Sequence, residues 1–125
     1  MTTGAPAPEP AQLSDHELQA RITSRDAQCV VSPGDPDDWF PLSADPAKAS
    51  AQSARALALC AACTVRAACL EVALRRWRDA GRHGIWGGTL ETEREELRAK
   101  WLAGHSVTEL LALGGPGRWR PSQVA

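Results

Sequence analysis

The sequence predicts an all-α fold, a small domain of about four to five short helices with disordered tails. Three segments carry a capping-box pattern, in which a Ser or Thr is followed three residues later by Glu, at Ser14, Thr92 and Ser106. No segment of useful length alternates apolar and polar residues, so no strand is predicted.

The first half of the domain is predicted to contain two helices joined by a long loop. The first capping box begins a helix over about residues 15–23. Residues 26–46 are predicted to be a loop, because prolines and a glycine interrupt them repeatedly. Asp45 and Pro46 then suit the N-cap and the first position of a second helix, which continues to Leu59.

A third helix is predicted over residues 65–80, with Thr64 as its cap and Gly81 as its end. The apolar residues of this segment fall mainly on one side. Four cations are therefore expected to point largely towards solvent, namely Arg66, Arg75, Arg76 and Arg78.

The last third of the domain begins with a glycine-rich turn. Three glycines in residues 84–88 indicate this turn, because glycine tolerates positive φ angles and close backbone approach. The remaining two capping boxes predict a charged helix over residues 93–103 and a final helical segment after Ser106.

Composition predicts one folded domain with tails. The ends are rich in Pro, Gly and Ala, which predicts a disordered leader over residues 1–13, a domain over residues 14–113 and a disordered basic tail over residues 114–125. A core this small, with one Phe and no Tyr, is marginal by itself. It would gain stability from a metal centre that joins distant segments.

No feature of the sequence indicates export or membrane insertion. Residues 1–11 lack the basic and apolar regions of a signal peptide, and no stretch approaches the roughly 18 to 20 apolar residues of a membrane span. We therefore expect a cytoplasmic protein without a membrane partner. In that reducing compartment, four cysteines favour metal ligands or redox groups over permanent disulfides.

The net charge of −1 hides an asymmetry between the two halves of the chain. Residues 1–50 hold eight acids and three bases, whereas residues 51–125 hold seven acids and eleven bases. A basic C-terminal half is typical of contact with nucleic acid or an acidic partner, and a solvated helix surface explains the same excess equally well.

The strongest chemical signal comes from four cysteines, Cys29, Cys60, Cys63 and Cys69. The pair separated by two residues places two thiolates within one turn of chain, and the last cysteine follows in the next predicted helix. Zinc sites of four cysteines usually contain two such pairs, so one pair with a wider step and a remote cysteine is more typical of an iron-sulfur cluster. Zinc, disulfides and buried thiols remain open on spacing alone.

The sequence contains none of the common catalytic signatures, such as a phosphate-binding loop, a Ser-His-Asp order or paired carboxylates. We therefore predict that the chain is not an enzyme. Two alternatives to a cluster-binding regulator remain: a zinc-stabilised structural adaptor, and a thiol-disulfide oxidoreductase that uses Cys60 and Cys63. A pair of this spacing at a helix start can have a lowered thiol pKa, but no strand-helix-strand pattern surrounds it here.

Three segments in a fixed order resemble the WhiB-like family of actinobacterial iron-sulfur transcription regulators. They are DPDDWFP at residues 35–41, CAACTVRAACL at residues 60–70 and GIWGG at residues 84–88, with Cys29 before the first of them. The resemblance implies a helical domain whose four cysteines hold one 4Fe-4S cluster that is sensitive to oxygen and nitric oxide. It also implies binding to the C-terminal domain of the principal sigma factor of RNA polymerase, and action at promoter DNA.

The resemblance further implies which residues meet these partners. The aromatic pair and the glycine turn are expected beside the cluster and the sigma factor, as Trp39, Phe40, Gly84, Trp86, Gly87 and Gly88. DNA is expected to meet the basic residues that follow the turn, as Arg94, Arg98 and Lys100. One subgroup of the family inserts an Arg-Gly-Arg-Pro hook into the minor groove. Here Trp119 replaces that glycine, so Arg118 and Arg120 are expected to contact phosphates rather than bases.

Overall fold

A computed structural model describes residues 8–114. Over this range the chain is helical and forms no strand, which confirms the all-α prediction. The helices follow in the order α1 (Asp15–Ile22), α2 (Gln28–Val31), α3 (Pro46–Gln52), α4 (Ala54–Ala61), α5 (Arg66–Arg75), α6 (Glu91–Leu102) and α7 (Val107–Gly114). Short 3-10 helices at Pro10–Gln12 and Pro36–Trp39 and a π-helical turn at Trp77–Gly81 lie between or before them.

The predicted caps of α1 and α7 form. The Ser14 hydroxyl accepts the Glu17 N–H at 3.1 Å, and the Ser106 hydroxyl accepts the Glu109 N–H at 3.2 Å. The predicted start of α6 is wrong by two residues. That helix begins at Glu91 rather than 93, one residue before the predicted Thr92 cap.

The single helix predicted after Asp45 is in fact two helices. Its start forms as predicted, because the Asp45 carboxylate accepts the Lys48 N–H at 3.1 Å. The chain then bends at Ser53, a fully buried residue, and α4 begins at Ala54. High helix propensity in an Ala-rich segment does not encode such a bend, which depends on packing against the rest of the domain.

Thr64 does not cap α5 as predicted. Its hydroxyl donates to the Asp26 carbonyl at 3.4 Å, and the Cys63 thiol lies 3.9 Å from the same oxygen. Helix α5 begins at Arg66 instead. The two contacts tie the segment before Cys29 to the turn between α4 and α5.

Helix α5 lies at the centre of the domain. One face packs Leu70 and Leu74 against α6 and α7, and another packs Ala68 and Val72 against α1. A buried leucine contributes about 1.5–3 kcal/mol relative to an exposed one, so both faces stabilise the domain. The buried Glu71 carboxylate accepts hydrogen bonds from the Arg75 guanidinium and the Trp101 indole at 2.8 and 3.2 Å.

The chain leaves α5 through the π-helical turn, not through a continuous helix to residue 80 as predicted. The Gly81 N–H donates to the Arg76 carbonyl, five residues earlier, at 3.0 Å. A Cβ at Gly81 would lie 1.8 Å from the Ala73 carbonyl oxygen. Only glycine therefore lets the chain pass so close to α5 before it enters the glycine turn.

The folded domain begins before residue 14, so the predicted leader is too long. Pro10 and Leu13 are buried, and the Arg75 guanidinium donates to the Pro10 carbonyl at 3.1 Å. The predicted tail beyond residue 114 lies outside the described residues. Within residues 8–114 no single helix is long and apolar enough to cross a membrane, although α4 and α5 together, bent by 115°, pass that test by length and composition.

Candidate metal centre

All four cysteines line one cavity of about 330 Å³. They reach it from different elements: Cys29 from α2, Cys60 from the end of α4, Cys63 from the turn that follows, and Cys69 from the first turn of α5. The sequence motif brought two of these thiols together locally. The fold adds the other two, so the predicted four-cysteine set shares one site.

Hydrogen bonds from α4 hold the loop that follows Cys29 and helix α2. The Arg55 guanidinium donates to the Ser32 hydroxyl at 3.1 Å and to the Asp38 carboxylate at 3.5 Å. The Trp39 indole donates to the Pro33 carbonyl at 2.9 Å in the same loop. These contacts fold the loop back against α4 and hold the adjoining helix α2, which carries Cys29, beside the cavity.

The glycine turn forms as predicted and directs backbone N–H groups at two of the sulfurs. The Gly87 N–H donates to the Cys69 sulfur at 3.2 Å, and the Gly88 N–H donates to the Cys60 sulfur. Both glycines have positive φ angles, of 56° and 71°. Hydrogen bonds of this kind stabilise the thiolate over the thiol and are one of the ways in which proteins tune bound clusters.

Burial favours the protonated form of three of the thiols, those of Cys29, Cys60 and Cys69, when no metal is bound. Burial raises the pKa of Cys69 from 9.0 to about 12 and that of Cys60 to about 11, with a smaller opposing effect from the two glycine N–H groups. Partial desolvation and then the nearby Cys63 thiol raise the pKa of Cys29. Metal binding must displace these protons, whereas an attacking thiol requires a lowered pKa.

Four cysteine thiolates are a donor set that both a zinc ion and an iron-sulfur cluster accept. Four thiolates around one zinc lie only about 3.8 Å apart, because each Zn–S bond is about 2.3 Å. Within residues 8–114 no group of three or more His, Cys, Asp or Glu residues is spaced to hold a single ion. The four thiols line one open cavity together, as the ligands of a cluster must.

Aromatic residues form a rim beside the thiols. Trp39, Phe40 and Trp86 all line the cavity. The Ile85 N–H donates to the Trp39 carbonyl at 2.9 Å, which joins the aromatic pair to the glycine turn. The two tryptophans are half-buried against the core, whereas 57% of Phe40 is exposed.

The glycines predicted to meet a partner are themselves buried. Gly84, Gly87 and Gly88 have almost no accessible surface, and a Cβ at Gly84 would lie 2.7 Å from the Phe40 ring. Their part in a partner surface is therefore indirect, through the aromatic side chains that the turn positions.

The prediction that Arg94 contacts DNA is wrong. Its side chain is completely buried, and its guanidinium donates to the carbonyls of Gly81, Gly84 and Thr89, each at 2.8 Å. In the sequence, Arg94 lies in a charged segment with helical spacing and therefore resembles a cation on the helix surface. In the structure it holds both ends of the glycine turn, so it is not available to DNA.

The other predicted DNA contacts differ in their surroundings. Arg98 is half-exposed and lies over the Trp77 ring at 5.3 Å, and Lys100 is half-exposed on the same helix. Arg118 and Arg120 lie outside the described residues. These four assignments stay predictions.

Sequence reasoning missed two residues that shape the cavity. Arg66, expected to face solvent, is half-buried and lines the cavity, with its Nε–H donating to the Gly87 carbonyl at 2.8 Å. The Glu91 carboxylate accepts the Gly84 N–H at 2.8 Å. Arg66 lies between Cys63 and Cys69 in the sequence, and this position could have indicated that it lines the cavity. Nothing in the sequence indicated the role of Glu91.

Comparison with known proteins assigns the family. A family model described as transcription factor WhiB matches residues 24–97, more than half of the chain. The chain belongs to the WhiB family. The match contains all four cysteines and the glycine turn and ends within α6, so α7 lies beyond it.

Two curated WhiB-family relatives match parts of the chain. A transcriptional regulator WhiB of Streptomyces coelicolor is 39% identical over 64 residues, which cover 51% of this chain and 63% of the relative. The transcriptional regulator WhiB7 of Mycolicibacterium smegmatis is 42% identical over 57 residues, 46% of this chain and 47% of the relative. Less than two thirds of either relative is therefore matched. No solved structure gives a significant match.

Proposed function

We propose that this chain is a non-enzymatic transcription regulator that holds one 4Fe-4S cluster on Cys29, Cys60, Cys63 and Cys69. In this proposal it joins the C-terminal domain of the principal sigma factor to promoter DNA. A bound cluster would supply one-electron redox chemistry and sensitivity to oxygen and nitric oxide.

The convergence of the four cysteines on one cavity carries the proposal. Backbone N–H groups already point at two of the sulfurs, and the family match covers the whole set. Because the ligands come from α2, α4, the turn after it and α5, binding at this cavity stabilises the arrangement of four chain segments. Occupancy would therefore affect the stability of the segments beside the aromatic rim.

Exposed apolar side chains beside the cavity support a protein partner there. Val30 and Val31 follow Cys29 directly and are 43% and 55% exposed, and Phe40 is 57% exposed. Large apolar side chains in the centre of an interface contribute most of the binding free energy. Since α2 also carries Cys29, and Phe40 itself lines the cavity, affinity for the sigma factor would depend on whether the cavity is filled.

In this proposal, basic residues away from the cavity contact the DNA. With Arg94 buried, Arg98 and Lys100 on α6 and Arg118 and Arg120 in the tail remain the candidate phosphate contacts. Phosphate contacts fix position on the duplex and carry little sequence information. Promoter choice would therefore depend mainly on the sigma factor.

The cofactor test is a visible absorption spectrum with iron and acid-labile sulfide analysis of protein purified without oxygen. A brown protein with about four irons and four sulfides per chain would support the proposal. A colourless protein with one zinc would favour the structural adaptor instead. No metal at all would restore the oxidoreductase, despite the raised pKa of Cys60.

The partner test compares sigma-factor binding by the reconstituted protein and by its Cys63→Ala variant. We expect the variant to lack the cluster and to lose most of its affinity, since one of four ligands is missing. Equal affinity of both proteins would contradict cluster-dependent binding.

Phe40→Ala is expected to weaken binding to the sigma-factor domain by about tenfold or more, with the iron content unchanged. The reason is that Phe40 exposes a large apolar surface at the rim without supplying a ligand. Isothermal titration calorimetry under nitrogen measures the affinity. Leu113→Ala is the matched control, because Leu113 is 66% exposed on α7, outside the family match. Equal losses in both variants would argue against a partner at the rim.

A further inference from the structure

Arg66 is the one side chain with a permanent charge among the described residues that line the four-cysteine cavity. It begins α5, three residues before Cys69, and it is half-buried. Its guanidinium lies close enough to Cys60, Cys63 and Cys69 to interact electrostatically with each thiol. A cation this close to several cysteine sulfurs stabilises negative charge in the cavity.

Arg66 also fixes one peptide of the glycine turn. Its Nε–H donates to the Gly87 carbonyl at 2.8 Å. The N–H on the other side of that planar peptide belongs to Gly88, and it donates to the Cys60 sulfur. A Cβ at Gly88 would lie 2.9 Å from the Arg66 Nε and 3.1 Å from the Cys60 Cβ, so the three groups are in close contact. The arginine therefore orients a hydrogen bond to a ligand as well as supplying charge.

Charge near a thiolate-ligated cluster changes the energy of adding an electron. Such a cluster is anionic, and its potential depends on net charge, hydrogen bonds to sulfur and solvent access. A nearby cation stabilises the reduced state most, because that state carries the larger negative charge.

We infer that Arg66 is a positioning residue of the metal centre whose positive charge raises the reduction potential of the bound cluster. The inference rests on the proposed function, because it requires a cluster in the cavity. It identifies one residue of this chain that affects how readily that cluster is reduced.

The experiment is an anaerobic spectroelectrochemical titration of the reconstituted full chain, with the electrode as the source of the electron. We expect Arg66→Gln to shift the midpoint potential to a more negative value, because glutamine has no charge yet can still donate to the Gly87 carbonyl. Arg66→Lys keeps the charge, and we expect its potential to stay close to that of the unchanged chain. Arg78→Gln is the control for net charge, since Arg78 is exposed and does not line the cavity.

The possible outcomes separate this inference from the proposed function. A potential in Arg66→Gln equal to that of the unchanged chain, or equal shifts in Arg66→Lys and Arg66→Gln, would overturn it while leaving the cluster in place. If only Arg66→Lys assembles a cluster, the charge is required even for assembly, which supports it. If neither variant assembles a cluster, or if only Arg66→Gln does, the positive charge of Arg66 is not what the cluster requires, and the inference is overturned. Failure of the unchanged chain to take up iron would overturn the proposed function and this inference with it.

Discussion

Arg94→Met is expected to lower the free energy of unfolding by about 3–5 kcal/mol. Methionine has a similar length and fills the space, but it donates no hydrogen bond. Three buried backbone carbonyls, those of Gly81, Gly84 and Thr89, would lose the donor that each has at 2.8 Å. Urea denaturation of the anaerobically purified protein, followed by far-ultraviolet circular dichroism, measures the change.

Arg98→Met is the matched control, because Arg98 lies one turn later on the same helix and is half-exposed. Its loss removes a contact with the Trp77 ring at 5.3 Å, which is worth about 0.5–1 kcal/mol. If both variants lost the same stability, Arg94 would be an ordinary helix residue. A large difference would identify α6 as the element that holds the glycine turn in place.

Gly87→Ala is expected to lower the free energy of unfolding by about 2–4 kcal/mol and to release the bound cluster more quickly in air. The φ angle of 56° is unfavourable for alanine, and the added Cβ would lie 3.0 Å from both the Arg66 carbonyl oxygen and the Leu70 Cβ. Relief of these contacts moves the N–H that donates to the Cys69 sulfur at 3.2 Å. Thermal unfolding and the decay of visible absorbance in air measure the two effects.

The control variant Gly104→Ala distinguishes the effect of backbone strain from the effect of contacts between the added Cβ and its neighbours. Gly104 also has a positive φ angle, of 111°, but a Cβ there would meet nothing within 4 Å. We therefore expect it to cost about 1–3 kcal/mol from backbone strain alone, with the rate of cluster loss unchanged. Faster cluster loss in both variants would show that general destabilisation, not the position of the Gly87 N–H, controls retention.

Together these residues make the glycine turn dependent on two arginines. Arg94 holds the turn from the side of α6, and Arg66 holds it from the side of α5. The glycine turn directs N–H groups at the sulfurs of Cys60 and Cys69. The four-cysteine cavity thus depends on two arginines, Arg66 that lines it and Arg94 that is buried on α6, which explains why residues other than the cysteines matter for it.

The sequence by itself determined the features that depend on local chemistry. The capping boxes at Ser14 and Ser106 predicted the starts of α1 and α7, because a cap and its partner lie three residues apart. Three glycines predicted the turn before α6, because few other residues adopt positive φ angles. The order of the cysteines and the two aromatic segments predicted the WhiB family, which the family match confirms.

Only the tertiary structure decided which groups meet across long distances in the chain. Thr64 looked like a helix cap but bonds to the Asp26 carbonyl, and the Ala-rich helix bends at the buried Ser53. Arg66 and Arg94 looked like surface cations at helical spacing, yet both point inward to backbone carbonyls. Periodicity does not reveal such partners, because a buried arginine is stable only where the fold has already placed acceptors around it.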